Sequence, residues 1–406
     1  MPDVAGRGRE PMAVADKIRA SLTRSSWIRK MFEEGDRLRQ LYGADCVYDF
    51  TLGNPDLEPP DCVTQRLQRL VCDPVPGMHK YMSNAGYRET RQAVAAHVGA
   101  KAGLTLTENH VVMTVGAGGG LNVVLKTILN PGDEVIASAP YFVEYGFYTD
   151  NHQGKLVVVK TQSDFQLDIG AIAAAITPRT RAVLINSPNN PTGVIYPAGA
   201  LRTLAEALEW KEAEFGITIY LISDEPYAGL AFDSVIVPPV LQFFDRGILV
   251  TSHSKDLALP GERIGYIAIS PAIQEASTLY DGLVFANRVL GFVNAPALMQ
   301  RLIAGLQGES VGVKVYQERR DLLFAHLTAL GFDVVKPQGA FYMFPKSPIP
   351  DDVAFVRAAA KHNLLFVPGS GFGSPGYFRI AYCVSKETII KSFPAFERVA
   401  KEFGLN

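Results

Sequence analysis

Residues 247–269, GILVTSHSKDLALPGERIGYIAI, hold two apolar runs on either side of a polar segment that contains Lys255. The runs at 248–252 and 264–269 are short and continuous, without alternation of polar and apolar residues. Such runs predict strands that are buried on both faces, as in a parallel sheet covered by helices. Lys255 would then directly follow a buried strand, in a setting that a lysine serving only to solubilise a surface does not need.

Runs of the same kind recur upstream, with helical spacing in the segments between them. The predicted strands lie at 111–115, 134–138, 156–159, 182–186 and 218–223. The predicted helices between them lie at 121–129, 169–176 and 201–215. Because strands and helices alternate along the chain, the sequence predicts an α/β fold with a mostly parallel central sheet covered by helices.

The pattern changes after about residue 294, where long helical segments replace the alternation. Helices are predicted at 297–306, at 314–330 and from Lys386 onward, with a strand pair at 340–344 and 377–382. Residues 294–406 are therefore predicted to form a smaller α+β domain, and residues 53–293 a large one. The N-terminal segment 1–52, with a helix around 15–41, is predicted to join the small domain.

The composition indicates a globular protein. The 406 residues are 48% hydrophobic and 20% charged, which is ordinary for a folded chain of one large or two domains. The 39 basic and 41 acidic residues give a net charge of −2, and this balance provides no basic surface for nucleic acid and no polybasic arm for a membrane. We therefore expect neither kind of partner.

The cysteines, histidines and N-terminus predict a protein of the cytoplasm. The 4 cysteines form no C-x-x-C pair and are too few for a disulfide scaffold. The 7 histidines show no H-x-x-x-H spacing, so no metal site is expected. The first residues lack the apolar stretch of a signal peptide, and no run of roughly eighteen apolar residues occurs that would span a membrane.

Ligands of open α/β sheets bind at the carboxyl ends of the strands, so the residues that follow each predicted strand are candidates for a site. Residues 116–120, GAGGG, open a helix, where free backbone N–H groups form a phosphate cradle; a tight strand-to-helix turn is the alternative. Residues 186–193, NSPNNPTG, are a turn cluster in which Pro188 and Pro191 fix the backbone. That rigidity either presents a polar group to a ligand or forms a simple loop.

Three charged residues at other strand ends require partners. Asp224 ends an almost wholly apolar strand, where its carboxylate either pairs with a cation or caps a helix. Arg379 interrupts an apolar strand and either binds an anionic ligand or pairs with a structural carboxylate. Lys255 becomes a nucleophile where desolvation or a neighbouring cation lowers its pKa, and a surface lysine is the alternative.

Taken in order, these residues resemble the fold type I, class I/II aminotransferases that use pyridoxal 5′-phosphate (PLP). The resemblance covers nearly the whole chain, from residues 53–56, GNPD, to the strand with Arg379. It is carried by N-P-T-G at 190–193, D-x-x-Y at 224–227 and S-x-x-K at 252–255, with Arg263 eight residues beyond the lysine. It implies PLP as the cofactor and amino acids and 2-oxo acids as substrates.

The resemblance implies roles around the cofactor ring. Lys255 would form the internal Schiff base and carry the proton between the substrate Cα and the cofactor C4′. Asp224 would keep the pyridine nitrogen protonated, so that the ring accepts electrons. Tyr227 and Asn190 would hold the phenolic oxygen, and Phe142 would stack on the ring, with core packing as the alternative for Phe142.

The resemblance also implies a phosphate site and a second subunit. The phosphate would bind the backbone amides of Ala117 and Gly118. The side chains of Ser252, Ser254 and Arg263 would add hydroxyl groups and a positive charge. Tyr81 resembles the tyrosine that reaches the phosphate from the neighbouring subunit. A C2 homodimer with a shared active site is therefore expected.

At the substrate end, Arg379 resembles the arginine that binds the α-carboxylate, with Gly53 and Asn190 in the same part of the pocket. Trp27 falls where the N-terminal segment of this family folds over the substrate, and would contact apolar or aromatic side chains. Arg288 is a candidate for binding a side-chain carboxylate from the partner subunit; an arginine on a helix surface is the alternative.

The implied reaction is a ping-pong transamination from an L-amino acid to a 2-oxo acid. β-Lyases, decarboxylases and racemases share the scaffold and remain open alternatives. A PLP-binding transcription regulator is disfavoured because the residues before Gly53 contain no helix-turn-helix pair and no basic excess. A nicotinamide-dependent dehydrogenase is disfavoured because Leu121 stands where its glycine fingerprint needs a third glycine.

Overall fold

The computed structural model describes residues 13–24, 35, 37, 39–40, 43 and 46–405. Its α-helices are α1 (Asp16–Arg24), α2 (Asp61–Cys72), α3 (Arg88–Ala102), α4 (Gly116–Ile128), α5 (Glu144–Asn151), α6 (Ile169–Ala175), α7 (Ala198–Phe215), α8 (Ala276–Val289), α9 (Ala297–Ile303), α10 (Val313–Ala329), α11 (Asp352–Ala360) and α12 (Lys386–Glu402). Its strands are β1 (Tyr48–Asp49), β2 (Val111–Thr114), β3 (Glu134–Ala139), β4 (Lys155–Lys160), β5 (Thr180–Asn186), β6 (Tyr220–Asp224), β7 (Gly247–Ser252), β8 (Gly265–Ile269), β9 (Tyr342–Met343), β10 (Leu364–Leu365), β11 (Val367–Pro368) and β12 (Phe378–Ala381).

A seven-stranded sheet forms the centre of the fold, in the spatial order β2-β8-β7-β6-β5-β3-β4. β8 pairs antiparallel with β2 and β7, whereas the neighbours from β7 to β4 pair in parallel. The predicted α/β class with a mostly parallel sheet is confirmed. Because β5, β6 and β7 are adjacent and parallel, their carboxyl ends at Asn186, Asp224 and Ser252 meet at one edge of the sheet.

Both faces of the sheet are buried, which explains the continuous apolar runs. On β2, Val111 and Met113 pack into one core cluster, which also contains Val94 and Leu204 of the covering helices α3 and α7. Val112 between them packs into the opposite cluster, with residues of α4 and α8. Alternate residues of one strand therefore fill two cores, as expected for a sheet between two helix layers.

β4 departs from the prediction of a buried strand. None of its six residues is fully buried, and Val158 is 44% exposed. β4 is the last strand of the sheet, so one row of its backbone groups has no strand partner there. Lysines at both of its ends, Lys155 and Lys160, suit such an edge because charge opposes the addition of a further strand.

The C-terminal residues build a third core and a small sheet. β11, β12 and β9 pair antiparallel, and this pairing places Tyr342 opposite Ala381, two residues from Arg379. Phe50, β1 and β10 pack with this core, so residues 46–50 lie with the C-terminal residues. The domain limits 1–52, 53–293 and 294–406 stay a prediction.

Several element ends differ from the sequence predictions by a few residues. α9 ends at Ile303 and not at 306, and β9 is limited to Tyr342–Met343. Of the helix predicted around 15–41, the structure shows α1 at Asp16–Arg24, and most of the remainder lies outside the described residues. Within the described part of the chain, no helix combines the length and apolar character that crossing a bilayer requires.

Candidate active site

A cavity of about 370 Å³ opens at the carboxyl ends of β5, β6 and β7. It gathers most of the residues that the sequence predicted for a site. Those that line it are Gly53, Ala117, Gly118, Phe142, Asn190, Asp224, Tyr227, Ser252, Ser254, Lys255, Arg263 and Arg379. Residues more than three hundred positions apart in the sequence, such as Gly53 and Arg379, thus share one wall.

Asn186 fixes the geometry between two of the strand ends. Its side-chain amide donates to the backbone carbonyl of Asp224 at 2.7 Å, and its Oδ1 accepts from the Asn190 backbone N–H at 2.6 Å. Asn186 and Asp224 are register partners on β5 and β6. The turn cluster that begins after β5 is therefore tied to the neighbouring strand, which holds Asn190 over the cavity.

Asp224 is a buried carboxylate with one satisfied oxygen. Tyr145 Oη donates to its Oδ2 at 2.6 Å, while Oδ1 is buried without a hydrogen-bond partner among the described residues. Desolvation raises the pKa of Asp224 to about 7, and the Tyr145 hydrogen bond acts against that rise. The carboxylate caps no helix of the described residues, and its free oxygen faces a site that favours a cation.

Lys255 is held inside the cavity and is not a surface lysine. Its Nζ donates to the backbone carbonyl of Gly53 at 2.7 Å. Desolvation lowers the pKa of its amine to about 8; Cys383 opposes this shift, whereas Arg379 and Arg263 add to it. A substantial neutral fraction is thus present near pH 8, and the neutral amine is the nucleophilic form.

Arg379 has no carboxylate partner among the described residues. Its guanidinium donates to Asn190 Oδ1 at 3.1 Å and to the Thr51 backbone carbonyl at 2.6 Å, and its Nε is buried with no hydrogen-bond partner in the described part of the chain. The rings of Tyr342 and Phe372 lie 4.7 and 4.8 Å from its Cζ. A buried guanidinium held only by neutral oxygens and rings is suited to bind an anion from the cavity.

Tyr227 and Tyr342 meet above the cavity, with their hydroxyl oxygens 3.0 Å apart. Burial raises the pKa of Tyr227 well above its usual value and that of Tyr342 to about 12. Both hydroxyls therefore remain protonated at neutral pH, and one of them donates to the other. Gly53 lies so close to Tyr342 Oη that a Cβ there would overlap it, and the glycine at this position is required by space.

The glycine segment and Arg263 form the opposite end of the cavity. Gly116 has φ +68°, and a Cβ on it would lie 2.7 Å from Arg263 Nη2. A Cβ on Gly118 would lie 2.9 Å from Tyr148 Oη. Ser252 Oγ donates to Ser254 Oγ at 3.1 Å in the same wall. Backbone amides at the start of α4, hydroxyls and a guanidinium converge here, as an anion site requires.

Phe142 lines the cavity and packs edge-on against Tyr145, with centroids 5.6 Å apart and an interplanar angle of 84°. It thus lines the cavity and also packs against a buried ring, and its stacking on a cofactor stays a prediction. Tyr145, Tyr342 and Phe372 were not predicted as site residues. Tyr342 occurs in an apolar run, Tyr145 follows Glu144, and Phe372 lies in the glycine- and serine-rich segment 368–375; no motif marks any of them as a site residue.

Three further predicted residues lie away from this cavity or outside the description. Tyr81 is 89% exposed and does not line the cavity of its own chain. Arg288 is on the exposed surface of α8, with its guanidinium 5.3 Å from the centroid of the Phe285 ring. Trp27 lies outside the described residues.

The chain belongs to the family Aminotransferase class I and II, which matches residues 46–392. It is a transaminase, and the family implies PLP as cofactor. The aspartate/prephenate aminotransferase of Thermus thermophilus is 34% identical over 369 residues, 88% of this chain and 91% of that protein. The aromatic-amino-acid aminotransferase 2 of Thermococcus litoralis is 29% identical over 96% of this chain and 99% of its own length.

Solved structures give the same result for the fold. A crystal structure of an amino transferase from Eubacterium rectale has a TM-score of 0.94 at 38% identity, over 97% of this chain and 100% of that one. The maleate complex of Thermus thermophilus aspartate aminotransferase has a TM-score of 0.84 at 29% identity, over 96% of this chain and 100% of that one.

Proposed function

We propose that this transaminase moves the amino group of an L-amino acid to a 2-oxo acid by a ping-pong mechanism, with PLP held covalently by Lys255. The observation that carries the proposal is the common cavity of Lys255, Asp224 and Arg379. One group is a nucleophilic amine, one a carboxylate that needs a cation, and one a guanidinium that needs an anion. The pyridinium nitrogen of the cofactor would be the cation for Asp224, its aldehyde would bind the Lys255 amine, and the substrate carboxylate would be the anion for Arg379.

The residues at hand fit PLP. The buried Oδ1 of Asp224, without a partner among the described residues, suits a protonated pyridine nitrogen. At the other end of the cavity the amides of Ala117 and Gly118, the hydroxyls of Ser252 and Ser254 and the Arg263 guanidinium would hold the phosphate. When bound, PLP supplies an aldehyde that condenses with amines and a ring that accepts the electrons released at the substrate Cα.

Lys255 has two tasks in this proposal. Its neutral amine would hold PLP through the cofactor's aldehyde, and its Nζ would be the base that takes the proton from the substrate Cα and returns it. A lowered pKa serves both tasks because each begins with an unprotonated amine. Asp224 would hold the protonated pyridine nitrogen of the cofactor, and Lys255 would carry the proton.

Tyr227 and Asn190 would support the phenolic oxygen. The Tyr227 hydroxyl, protonated at neutral pH, is a donor for an ionised oxygen. Asn190 Oδ1 is occupied by Arg379, which directs its side-chain amide donor toward another acceptor. Asn190 therefore links the arginine that would bind the substrate carboxylate to the oxygen of the cofactor.

The substrate side chain would lie against a mainly apolar wall. Leu52, Phe142, Tyr342 and Phe372 line the cavity, and its described cations, Lys255, Arg263 and Arg379, already have proposed partners. A second carboxylate on the substrate would thus need a cation from outside this set. The sequence prediction for Arg288 from a partner subunit supplies a candidate.

The exposure of Tyr81 supports the proposed homodimer. A tyrosine that is 89% exposed in one chain and absent from its own cavity can reach the cavity of a second chain. In that arrangement the active site is shared between subunits. Co-expression of Lys255→Ala and Tyr81→Phe chains would test it, because a shared site predicts that hybrids recover one fully native site.

A single-turnover experiment tests the proposed reaction. The holoenzyme mixed with amino acids one at a time, without an oxo acid, should release one 2-oxo acid per subunit and no ammonia or carbon dioxide. A different 2-oxo acid, added after gel filtration, should then yield one new amino acid per subunit. Continuous release of ammonia or carbon dioxide from the amino acid alone would favour a lyase or a decarboxylase instead.

A further inference from the structure

A second cavity, of about 380 Å³, lies behind the proposed active site. Its walls include the end of α3, the segment after Tyr227 and residues 307–310 before α10. The two cavities share no lining residue but use the same chain segments. Asp224 lines the first and Glu225 the second; Ser252, Ser254 and Lys255 line the first, and His253 and Asp256 the second. One thickness of backbone separates them.

Glu225 is a buried carboxyl group with few hydrogen bonds and no ion pair among the described residues to offset its desolvation. It is 8% exposed, and Ser223 Oγ, which donates to its Oε1 at 2.6 Å, is its hydrogen-bond donor among the described residues. No described cation forms an ion pair with it. Burial raises the pKa of Glu225 to about 7, and the charge of Lys101, also in this cavity wall, acts against that rise.

His253 adds an unsatisfied acceptor to the same wall. Its Nδ1 lies 3.0 Å from Asp256 Oδ2, which can only accept when ionised; in the tautomer with the hydrogen on Nδ1, Nε2 is the acceptor. The His253 side chain is 5% exposed, and Nε2 has no partner among the described residues. Among the described residues, His253 Nε2 thus has no hydrogen-bond donor, and Glu225 has the Ser223 hydroxyl as its donor.

The charges around the cavity favour a cation. Burial lowers the pKa of His97 to about 4, so this residue is neutral at physiological pH. The charged side chains that line the cavity are then Lys101 and the carboxyl groups of Glu225, Asp256 and Glu309. No set of three metal-binding side chains occurs in the described residues, so a metal ion is not the cation indicated.

The remainder of the wall is apolar and includes Val98, Val240, Leu241 and Leu249. Ile236, which is 81% exposed, also lines the cavity and marks its opening to solvent. We propose that this cavity is a second ligand site, for a small organic cation: a protonated amine with an apolar body, whose charged N–H group pairs with Glu225 beside His253 Nε2.

Calorimetric titration of the holoenzyme with N,N-dimethylphenethylamine tests the site. A tertiary amine cannot condense with an aldehyde, so PLP does not capture it. Saturable binding of one probe per chain is expected. Glu225→Gln removes the charge and Ala228→Leu fills the cavity without a change of charge, and each should weaken binding by about tenfold or more. Arg379→Lys, in the other cavity, should leave it unchanged.

Proton linkage provides a second readout. A bound cation favours the ionised Glu225, so binding at pH 7 should release protons, measurable as a dependence of the heat on the buffer's ionisation enthalpy, and Glu225→Gln should abolish that dependence. The proposal fails if wild-type protein gives no saturable heat. It also fails if Arg379→Lys abolishes binding while Glu225→Gln and Ala228→Leu retain it, because the probe would then occupy the active site.

Discussion

Tyr145 Oη donates a 2.6 Å hydrogen bond to one oxygen of Asp224 and leaves the other oxygen buried without a partner among the described residues. The two oxygens thus have different surroundings. The hydrogen bond stabilises the negative charge of the buried carboxylate, and the other oxygen is available to a ligand. Tyr145 acts on the proposed cofactor through Asp224 and is a positioning residue.

Tyr145→Phe should weaken the binding of PLP. A hydrogen bond to a charged group contributes about 1.5–3 kcal/mol, so the dissociation constant should rise about tenfold to hundredfold. The reason is that Tyr145 lowers the pKa of Asp224, and without it the carboxyl group protonates more readily. Equilibrium dialysis of PLP measures the change. Tyr220→Phe, at the opposite end of β6, is the control and should bind as wild type.

Asp224→Asn should stabilise the cofactor-free protein at alkaline pH. The pKa of Asp224 rises from 3.8 to about 7 on folding, so the ionised group costs stability, and this cost grows as the pH rises from 3.8 through 7. Its removal should increase the free energy of unfolding by up to about 4 kcal/mol at pH 8 and by less at pH 5. Urea denaturation at both pH values measures this.

Asp224→Asn should weaken PLP binding although it stabilises the cofactor-free protein, because the pyridinium nitrogen loses its carboxylate partner. Glu225→Gln is the matched control: its pKa is also raised to about 7, so the cofactor-free protein should gain stability with the same pH dependence. PLP affinity should be unchanged in that variant. A stability gain for Asp224→Asn that is equal at pH 5 and pH 8 would contradict the assignment of the raised pKa.

Lys255 should react as an unusually acidic lysine in the cofactor-free protein. Its pKa is lowered from 10.5 to about 8, so acetylation by limiting acetic anhydride should increase with pH around a midpoint near 8. Peptide mass spectrometry isolates this lysine from the others. The same peptide in urea-unfolded protein is the internal control, with a midpoint near 10.5. Equal midpoints in the two states would show that the cavity does not perturb the amine.

The sequence located the residues that follow strands, because parallel strands bring their carboxyl ends to one edge. Asp224 and Lys255 were identifiable as charges next to apolar runs, and the structure places both in one cavity. Arg379 was identifiable for the same reason, since it interrupts an apolar strand. A charged residue within or next to an apolar run can therefore be identified as a candidate site residue from the sequence alone.

Aromatic contributors gave no such signal. Tyr342 reaches the cavity because β9 pairs with β12, and Tyr145, in the first turn of α5, reaches Asp224 at the end of β6 through its hydroxyl. Both depend on long-range pairings that local periodicity does not encode. The exposure of β4 was missed for a similar reason, because a run of valines reads alike at the centre and at the edge of a sheet.

Gly116→Ala should disturb the proposed phosphate end of the cavity. The new Cβ would meet Arg263 Nη2 at 2.7 Å, and φ of +68° strains a residue with a side chain by about 1 kcal/mol or more. We expect a lower melting temperature and at least about tenfold weaker PLP binding, measured by thermal scans and dialysis.

Gly199→Ala is the control for this glycine substitution. Gly199 lies in the first turn of α7, where a Cβ would meet nothing within 4 Å. Alanine there should keep or raise stability by up to about 1 kcal/mol, because it favours the helix over the unfolded chain, and it should not affect PLP binding. Equal losses of stability and of PLP binding in both variants would show that steric overlap and backbone strain at Gly116 are not the cause.

Arg379→Lys should weaken the binding of substrates by their α-carboxylate. Lysine keeps the charge but cannot make two parallel N–H···O bonds, and it loses the contacts to Asn190 and Thr51 that orient the guanidinium. KM for amino acids should rise about tenfold to hundredfold, with a smaller change in kcat.

The matched substrate pair makes that test specific. An amine that lacks the α-carboxylate gains nothing from Arg379, so its slow half-reaction should proceed equally in wild type and variant. The half-reaction of the amino acid should slow in the variant. Arg246→Lys, at an arginine paired with Glu212 outside the cavity, controls for a general effect of the substitution. If amine and amino acid slow equally in Arg379→Lys, the arginine maintains the structure of the wall and does not recognise the carboxylate.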